Sequence, residues 1–369
     1  MEIIAKRFML LGVGIVFTLL GKAQDKGKML DPSGYVNKYD VNFNGIGPQV
    51  YVLPAPRTRE ELLTDSYKEK IRFEDSIERA LDLQRVVEEF KPTSNVSNIQ
   101  YLISPLPKDG SQWEKLIADE LKRENYVGGY GLLHVYADMM LKAGDISNAL
   151  TLLQRALQHA QKTPNSMDVA TIQYNLANLF LFERNIQQAG FFQEAFYQSA
   201  LTQKSIVEQA NSLTKIALIQ AYDKDYRSAE NNIIRKAIPL LNKAKAYDRK
   251  VIAWQTLARI YQLQNKHTEA QWFLIQARDL ANSKNFHSEL AEIEYMLAFS
   301  KFAQKNYRIA SKEFQQAEKL AEEEDNKLLQ LAIVDKLGQI YMDEKDLNKA
   351  EDALNSYHDL RSVLFSKHE

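Results

Sequence analysis

The 369-residue chain contains no cysteine. This absence excludes a disulfide scaffold, a thiolate metal site and a cysteine nucleophile. The chain also lacks an excess of either charge, because 47 Lys and Arg against 48 Asp and Glu give a formal net charge of -1. Such a balance argues against a protein built to bind nucleic acid. With 45% hydrophobic residues, the chain is expected to fold.

Glycine and proline are scarce in the C-terminal two thirds of the chain. Of 14 glycines and 9 prolines, those beyond residue 129 are Gly131, Gly144, Gly190, Gly338, Pro164 and Pro239. Both residue types interrupt helices. Residues 130–369 therefore favour nearly uninterrupted helical structure.

The N-terminus has the three-part pattern of a secretory signal peptide. Lys6 and Arg7 precede an apolar run over residues 8–20, and small residues follow before Gln24. We predict cleavage after Ala23 and export to the periplasm or the medium. The alternative is an uncleaved N-terminal membrane anchor. No later apolar run reaches 18 residues, so no membrane span is predicted in the mature chain.

A small residue recurs with a period of about 40 residues. The gaps are 40, 40, 41, 40 and 40 between Ala149, Ala189, Ala229, Ala270, Ala310 and Ala350. A second small residue precedes each of these by 12 positions, at Ala137, Ala177, Ala217, Ala258, Ala298 and Gly338. Two features that keep the same phase six times indicate six copies of one structural unit.

The fourth copy carries the motif that relates these units to a known family. Its sequence Trp254-x2-Leu257-Ala258-x2-Tyr261, followed by Ala270, resembles the tetratricopeptide repeat pattern with alanine in place of glycine. In the third copy, Lys236 stands where the second helix should carry a small residue. The resemblance implies an all-α right-handed superhelix of six helix pairs, over residues 130–169, 170–209, 210–250, 251–290, 291–330 and 331–369.

Residues 24–129 form a mixed N-terminal extension in this interpretation. Asn44-Gly45 between two apolar runs predicts a small hairpin. A capping box that starts at Thr58 predicts an amphipathic helix over residues 58–90. A shorter helix over residues 111–125 is expected to cover the exposed end of the first repeat.

The family resemblance also implies a binding groove lined by the first helix of each repeat. Following the family's groove positions through the repeats gives Tyr174, Asn178, Phe182, Asn211, Tyr222, Gln255, Arg259, Gln262, Tyr295, Phe299, Phe302, Asp335 and Gln339. Amides can bond an extended peptide backbone, and aromatic rings supply contact area. Some of these rings can instead pack between neighbouring repeats.

Two short motifs suggest other chemistry, and each has a simpler explanation. The run from Asp40 to Gly45 matches the start of a calcium loop, but Tyr51 occupies the position of the bidentate glutamate, which favours a turn. The pair Ser212 and Lys215 matches S-x-x-K of penicillin-recognising enzymes, but it falls inside a repeat helix and no K-T-G follows. We predict no catalytic residue, no metal and no cofactor.

The sequence therefore favours an exported, non-enzymatic scaffold that binds a protein or peptide partner. One alternative is a sensory module similar to the extracytoplasmic regions of tetratricopeptide sensor histidine kinases, without the kinase. The other is an enzyme with its site in residues 24–129. The apolar C-terminal residues Val363, Leu364 and Phe365 also predict a homodimer or docking contact through the last helix.

Overall fold

The structure is a computed structural model that describes residues 57–71, 74–96, 99 and 103–365. These residues form an all-α solenoid and contain no β-strand. The predicted signal segment, the hairpin and the calcium-like loop at Asp40 lie outside the described residues. Within the described residues, no helix is both long enough and apolar enough to cross a bilayer.

Six pairs of helices follow one another along the chain. The first five pairs are Tyr126–Lys142 with Ile146–Ala160, Ser166–Phe182 with Ile186–Thr202, Ile206–Tyr222 with Tyr226–Ala244, Tyr247–Leu263 with His267–Lys284, and Leu290–Ala303 with Tyr307–Glu323. The sixth pair is Lys327–Asp343 with Leu347–Phe365. Each pair packs on the next, as expected when one helix pair cannot bury both of its apolar faces.

The recurring small residues lie in the core, as the repeat pattern predicts. All six alanines that mark the second helices have 0% exposure. Their counterparts on the first helices, from Ala137 to Ala298, are also buried. A methyl side chain lets two antiparallel helix backbones approach closely, which explains why larger residues are absent from these positions.

The single 41-residue gap has a local structural cause. Between Ala229 and Ala270 the second helix of the third repeat contains a π-helical stretch, Asn232–Ala237. A π-turn accommodates one extra residue without ending the helix. The stretch exposes Lys236 and buries Ala237 instead, so the small residue predicted at position 236 lies one position later.

The turns between helices use a left-handed residue that is rarely glycine. Gly144 has φ 76°, but the equivalent residues are non-glycine, including Arg184, Lys204, Lys224 and Lys345 with φ between 56° and 67°. Glycine would relieve the backbone cost at these positions. A basic residue there interacts favourably with the negative end of the preceding helix, which offsets part of that cost.

The first helices begin earlier than the predicted repeat boundaries. They start at residues 126, 166, 206, 247, 290 and 327, which is one to four residues before the expected starts. The predicted boundary between residues 129 and 130 therefore falls inside the first helix of repeat 1. Gly129 belongs to this helix, where a Cβ atom would overlap the Leu121 side chain.

Among the described residues before the repeats, longer helices run over α1 (Arg59–Ile71), α2 (Glu74–Glu88) and α3 (Gly110–Lys122). Helices α1 and α2 occupy most of the range predicted as one helix. Helix α3 begins at the cap Asp109, which accepts a hydrogen bond from the Gln112 backbone. Trp113 of α3 stacks on Tyr136 at 4.9 Å between ring centroids, so α3 covers the first repeat.

The C-terminal helix leaves one apolar side chain open to solvent. Val363 is 61% exposed, whereas Leu364 and Phe365 are partly buried against the core. Dimerisation through this end stays a prediction, which light scattering on a chain truncated at residue 360 would test.

Candidate interaction groove

A stretch of the chain before the repeats lies along the first helices of the solenoid. We call residues 59–95 the N-terminal segment, and we call the face formed by the first helices the groove. The segment contacts all six repeats, from Ala350 in repeat 6 to His134 in repeat 1. The groove predicted from the sequence is therefore occupied by the chain itself.

Helix α1 is anchored on the last repeat by a buried lysine. Lys70 Nζ lies 2.9 Å from Asp335 Oδ1, with both side chains at most 5% exposed. The ammonium group also lies over the rings of Tyr67 and Tyr357, at 4.5 and 4.7 Å from their centroids. A carboxylate and two aromatic faces thus replace the water that a lysine loses on burial.

Tyr67 completes this anchor. Its hydroxyl donates a hydrogen bond of 2.7 Å to the carbonyl oxygen of Ala350. Its ring lies directly against Gly338, where a Cβ atom would come within 2.9 Å of Tyr67 Cε1. Burial, reinforced by the nearby Asp335 carboxylate, raises the pKa of the Tyr67 hydroxyl far above its usual value. The small residue of the sixth repeat therefore makes room for the segment.

A network of four charges joins α2 to the middle of the groove. Arg85 bonds Asp82 at 2.7 Å and Glu292 at 2.8 Å. Arg259 of repeat 4 approaches the same two carboxylates at 3.6 and 3.7 Å. The two guanidinium groups hold the pKa of the Glu292 carboxyl below its usual value in spite of its burial. The network fixes α2 against two neighbouring repeats.

The far end of the segment is held by Lys91. Its backbone N–H donates to Asn175 Oδ1 at 3.0 Å, and its carbonyl oxygen accepts from Asn175 Nδ2 at 2.8 Å. Its ammonium group bonds Glu208 at 2.7 Å and lies 4.4 Å from the Tyr174 ring centroid. The same residue thus binds repeats 2 and 3 through backbone and side chain together.

Asp168 forms a second buried anchor next to Lys91. Its carboxylate accepts from the Ser94 backbone N–H at 2.7 Å and from the Tyr130 hydroxyl at 2.6 Å. Asn165 donates to the same carboxylate at 2.9 Å. Because the carboxylate has several donors, it is satisfied in a buried position.

A cavity of about 430 Å³ remains between the segment and the groove. It is lined by residues of α2 and by first-helix residues of repeats 2 to 5. Two amide side chains on its wall are buried, and each lies beside a partner: Asn178 interacts with the Tyr174 hydroxyl and Gln255 with the Glu289 carboxylate. The two side chains are 4% and 8% exposed.

One end of this cavity is acidic. Glu88, Glu289 and Glu292 lie on its wall. Burial and the neighbouring carboxylates raise the pKa of Glu289 above its usual value, and they raise the pKa of nearby Glu324 to about 7. This end of the cavity therefore favours neutral or cationic groups.

The predicted groove residues fall into three sets. Seven line the cavity: Tyr174, Asn178, Phe182, Asn211, Tyr222, Gln255 and Arg259. Two belong to the anchor on repeat 6: Asp335 pairs with the buried Lys70, and Gln339 donates to Asp335 Oδ2 at 3.1 Å. The remaining four pack between or within repeats; Gln262, for example, donates to Ser300 Oγ at 2.8 Å. Tyr295, Phe299 and Phe302 form a ring cluster with Phe314.

The S-x-x-K pair has structural partners. Ser212 is fully buried and accepts a hydrogen bond of 2.7 Å from Gln193 Nε2. Lys215 forms an ion pair with Glu89 of the segment. The serine and lysine are thus engaged in packing and in segment binding. Within the described part of the chain, no group of three or more His, Asp or Glu residues is placed to hold a metal ion.

Sequence reasoning missed the segment residues that fill the groove, above all Lys70, Asp82 and Arg85. The signal available was the apolar stripe of the predicted helix, which includes Leu63 and Tyr67. Both side chains are buried. A stripe of this kind must pack on something, but its period does not indicate which surface it packs on.

Comparisons with known proteins support the fold. No family model matches the chain. A Rap protein solved in complex with Competence and Sporulation Factor has 9% identity and a TM-score of 0.52, over 83% of this chain and 99% of that chain. Aspartyl phosphate phosphatase F from Bacillus subtilis has 14% identity and a TM-score of 0.52, over 85% of this chain and 78% of that chain.

A third solved structure is similar to a comparable extent. It is a signal transduction ATPase with a tetratricopeptide repeat sensor from Pyrococcus horikoshii, with 14% identity and a TM-score of 0.50. The similarity covers 81% of this chain and 46% of that chain. At these identities the likeness concerns the fold.

Among curated proteins, the chain is 24% identical over 207 residues to a γ-glutamyl phosphate reductase of Shigella flexneri. That match covers 55% of this chain and 43% of the reductase, so the chain spans less than half the length of the curated relatives it matches. An identity this low over part of each chain does not transfer the reductase activity. The six helix pairs, their buried small residues and the similar solved structures agree, and the chain is a tetratricopeptide-type helical repeat solenoid.

Proposed function

We propose that this solenoid is a non-enzymatic binding protein whose groove holds a segment of a partner protein. The observation that supports the proposal is the groove's present occupant. Amide, aromatic and charged side chains of all six repeats already hold a length of polypeptide, through backbone contacts at Asn175 and side-chain contacts at Asp335. A surface with this chemistry suits polypeptide recognition.

The similar solved structures support the same proposal. The Rap protein was crystallised with a bound partner, Competence and Sporulation Factor. The polar side chains of Asn178 and Gln255 lie on the wall of the cavity, and the cavity provides space for side chains of such a partner. The sequence interpretation expected an extended peptide, whereas the groove holds helices α1 and α2.

Replacing Asn178 and Arg259 together by alanine is expected to weaken partner binding at least tenfold. Both side chains line the cavity, and a lost hydrogen bond to a desolvated group is worth about 1–3 kcal/mol. A partner captured with the wild-type chain would be purified, and its Kd would be measured for each variant by calorimetry. Phe191→Ala is the control, because Phe191 is 66% exposed on the second helix of repeat 2. Equal affinity for the double variant and the control would place the binding site elsewhere.

We also propose that the chain is exported after cleavage of its first 23 residues. The basic pair, apolar run and small residues before Gln24 support this proposal. N-terminal sequencing of the protein isolated from its native cells tests it, with Gln24 as the expected first residue. A retained N-terminus would instead favour an anchored sensory module. That second candidate is supported by the fold of the repeat sensor from Pyrococcus horikoshii.

A further inference from the structure

We propose that the second helices of repeats 3 to 5 form an additional interaction surface, which binds an amphipathic helix with an apolar stripe and acidic edges. We call this surface the outer face. It consists of Tyr226–Ala244, His267–Lys284 and Tyr307–Glu323. The first helices form the groove, so a partner on the outer face leaves the N-terminal segment in place.

Large apolar side chains are exposed on all three helices of the outer face. Ile234, Trp272, Ile275 and Ile309 are 40%, 58%, 38% and 37% exposed. Trp272 is held by an edge-to-face contact with Phe273, at 4.7 Å between ring centroids. Single exposed apolar residues are ordinary on a protein surface, whereas a group of them on neighbouring elements indicates an interaction site.

Hydrogen bonds between repeats show which way Trp272 and Ile275 face. Gln304, directly after the first helix of repeat 5, accepts from Gln271 Nε2 at 2.9 Å and donates to Thr268 Oγ1 at 3.1 Å. Trp272 lies one helical turn after Thr268, and Ile275 lies one turn after Gln271. Both apolar side chains therefore lie on the side of their helix that faces repeat 5, whose second helix begins three residues after Gln304.

Basic side chains without a partner lie on both sides of this apolar centre. They are Arg235 and Lys236 in repeat 3, and Arg308 and Lys312 in repeat 5, all exposed. Within the part of the chain that the structure describes, none of these four side chains forms an ion pair or a hydrogen bond. In repeat 3 the π-helical stretch exposes three consecutive residues, from Ile234 to Lys236. Helix distortions of this kind are frequent at functional sites.

The carboxylates near the centre are either engaged or placed at its ends. Glu230 accepts a hydrogen bond of 3.4 Å from Gln264, and Glu313 is half-buried. Glu269 and Asp279 are exposed, one helical turn before and one turn after the apolar pair of repeat 4. These two carboxylates would repel an anionic bilayer surface. A helix lying along the apolar pair would instead place its two edges beside the unpaired cations of repeats 3 and 5, which favours acidic edges.

A synthetic amphipathic peptide with a fluorescein label serves as the probe. It has about 20 residues, above the length at which isolated helices are marginal, with leucine along one stripe and glutamate along both edges. A second peptide has lysine in place of every glutamate. Binding to the full-length chain is measured by fluorescence anisotropy, and we expect the glutamate peptide to bind at least tenfold more tightly than the lysine peptide.

Trp272→Ala is expected to weaken binding of the glutamate peptide at least tenfold, because tryptophan at the centre of an interface is often a dominant contact. Phe191→Ala is the matched control. Phe191 occupies the equivalent position in repeat 2, two residues after the buried alanine, and is 66% exposed. Its helix contains no lysine or arginine, so this substitution is expected to leave peptide binding unchanged.

A charge reversal tests the basic flank separately. Arg308→Glu with Lys312→Glu is expected to weaken binding of the glutamate peptide at least tenfold at low salt and less at high salt, because salt screens exposed charges. Lys108→Glu with Lys115→Glu is the control. It changes the net charge by the same amount at exposed residues beside the first repeat. Circular dichroism of each variant verifies that the solenoid is folded.

Four results would overturn the inference. Equal affinity for the glutamate and lysine peptides would mean that the face does not select acidic edges. Equal effects of Trp272→Ala and Phe191→Ala would mean that the peptide binds elsewhere. Sedimentation with vesicles of phosphatidylcholine and phosphatidylglycerol that Trp272→Ala abolishes would assign the face to a lipid surface. A dimer that Trp272→Ala converts to a monomer in light scattering would assign it to a second copy of the chain. The Asn178 and Arg259 variant leaves the outer face intact, so the proposed function of the groove is tested independently.

Discussion

Replacing Asp335 by alanine is expected to release helix α1 from the last repeat and to cost about 3–5 kcal/mol. The substitution leaves Lys70 buried without its main counterion, and a buried charge without a partner is far more costly than an exposed one. Undocking of α1 lets Lys70 reach water, so α1 should open before the repeats unfold. Hydrogen exchange of the α1 amides, followed during denaturant unfolding, measures both effects.

Glu351→Ala is the control for this prediction. Glu351 of repeat 6 pairs with Arg59, which lies on α1 like Lys70. Unlike the buried pair, these two side chains are about half exposed. Exposed ion pairs contribute about 0–1 kcal/mol. If the two substitutions have the same effect on exchange and stability, the buried lysine is not the anchor of α1.

Acidification from pH 6.5 to pH 4 is expected to lower the free energy of unfolding through His134. Desolvation lowers the pKa of His134 from 6.5 to about 4, against the opposing attraction of Asp168. The contact with Asn175 explains why the His134 ring is neutral in the folded chain. Its amide orientation is fixed by both backbone groups of Lys91, and its Nδ2 therefore lies 2.9 Å from His134 Nε2 as a donor. That nitrogen must accept, which a protonated ring cannot do.

The sign of this pH dependence follows from proton binding. Between pH 6.5 and pH 4 the unfolded chain binds a proton at residue 134 and the folded chain does not, so stability falls as the pH falls. Over the whole interval from pH 6.5 to pH 4, this effect lowers the free energy of unfolding by roughly 3 kcal/mol. Urea unfolding at several pH values measures it.

His134→Gln is the comparison variant, because glutamine keeps a hydrogen-bonding side chain but does not titrate. Glu324 acts in the opposite direction, since its raised pKa of about 7 makes the folded state bind a proton first as the pH falls. The difference between wild type and variant cancels this contribution. An identical pH profile for both chains would contradict the assignment to His134.

The repeat architecture could be predicted from the sequence because it depends on local periodicity. Small residues at fixed spacing must lie where helices meet, and all six second-helix markers are fully buried. The exact residues at which the helices begin were harder to predict from the sequence. They depend on individual caps such as Asn165, whose side chain accepts from the Asp168 backbone, and the 40-residue period does not reveal them.

The candidate site was predictable only in part. The repeat register predicted that Tyr174, Asn178 and Arg259 face the groove, because family geometry fixes which helix face lines it. In the structure these three side chains lie on the wall of the cavity. The presence of the N-terminal segment in the groove was not predictable in this way. Lys70 and Asp335 are 265 residues apart, and a single sequence holds no signal that pairs two charges at such a distance.

The N-terminal segment also changes how the solenoid should fold. In a simple repeat array each unit contacts only its neighbours, so the end units fray independently. Here the hydrogen bond between Tyr67 and Ala350 closes a loop of 283 residues, and Lys91 ties the same segment to repeats 2 and 3. Closing such a loop has a large entropic cost, so we expect these contacts to form late, after the repeats they join. Once formed, they should couple the two ends of the solenoid, and we expect its unfolding to be more cooperative than that of an open array.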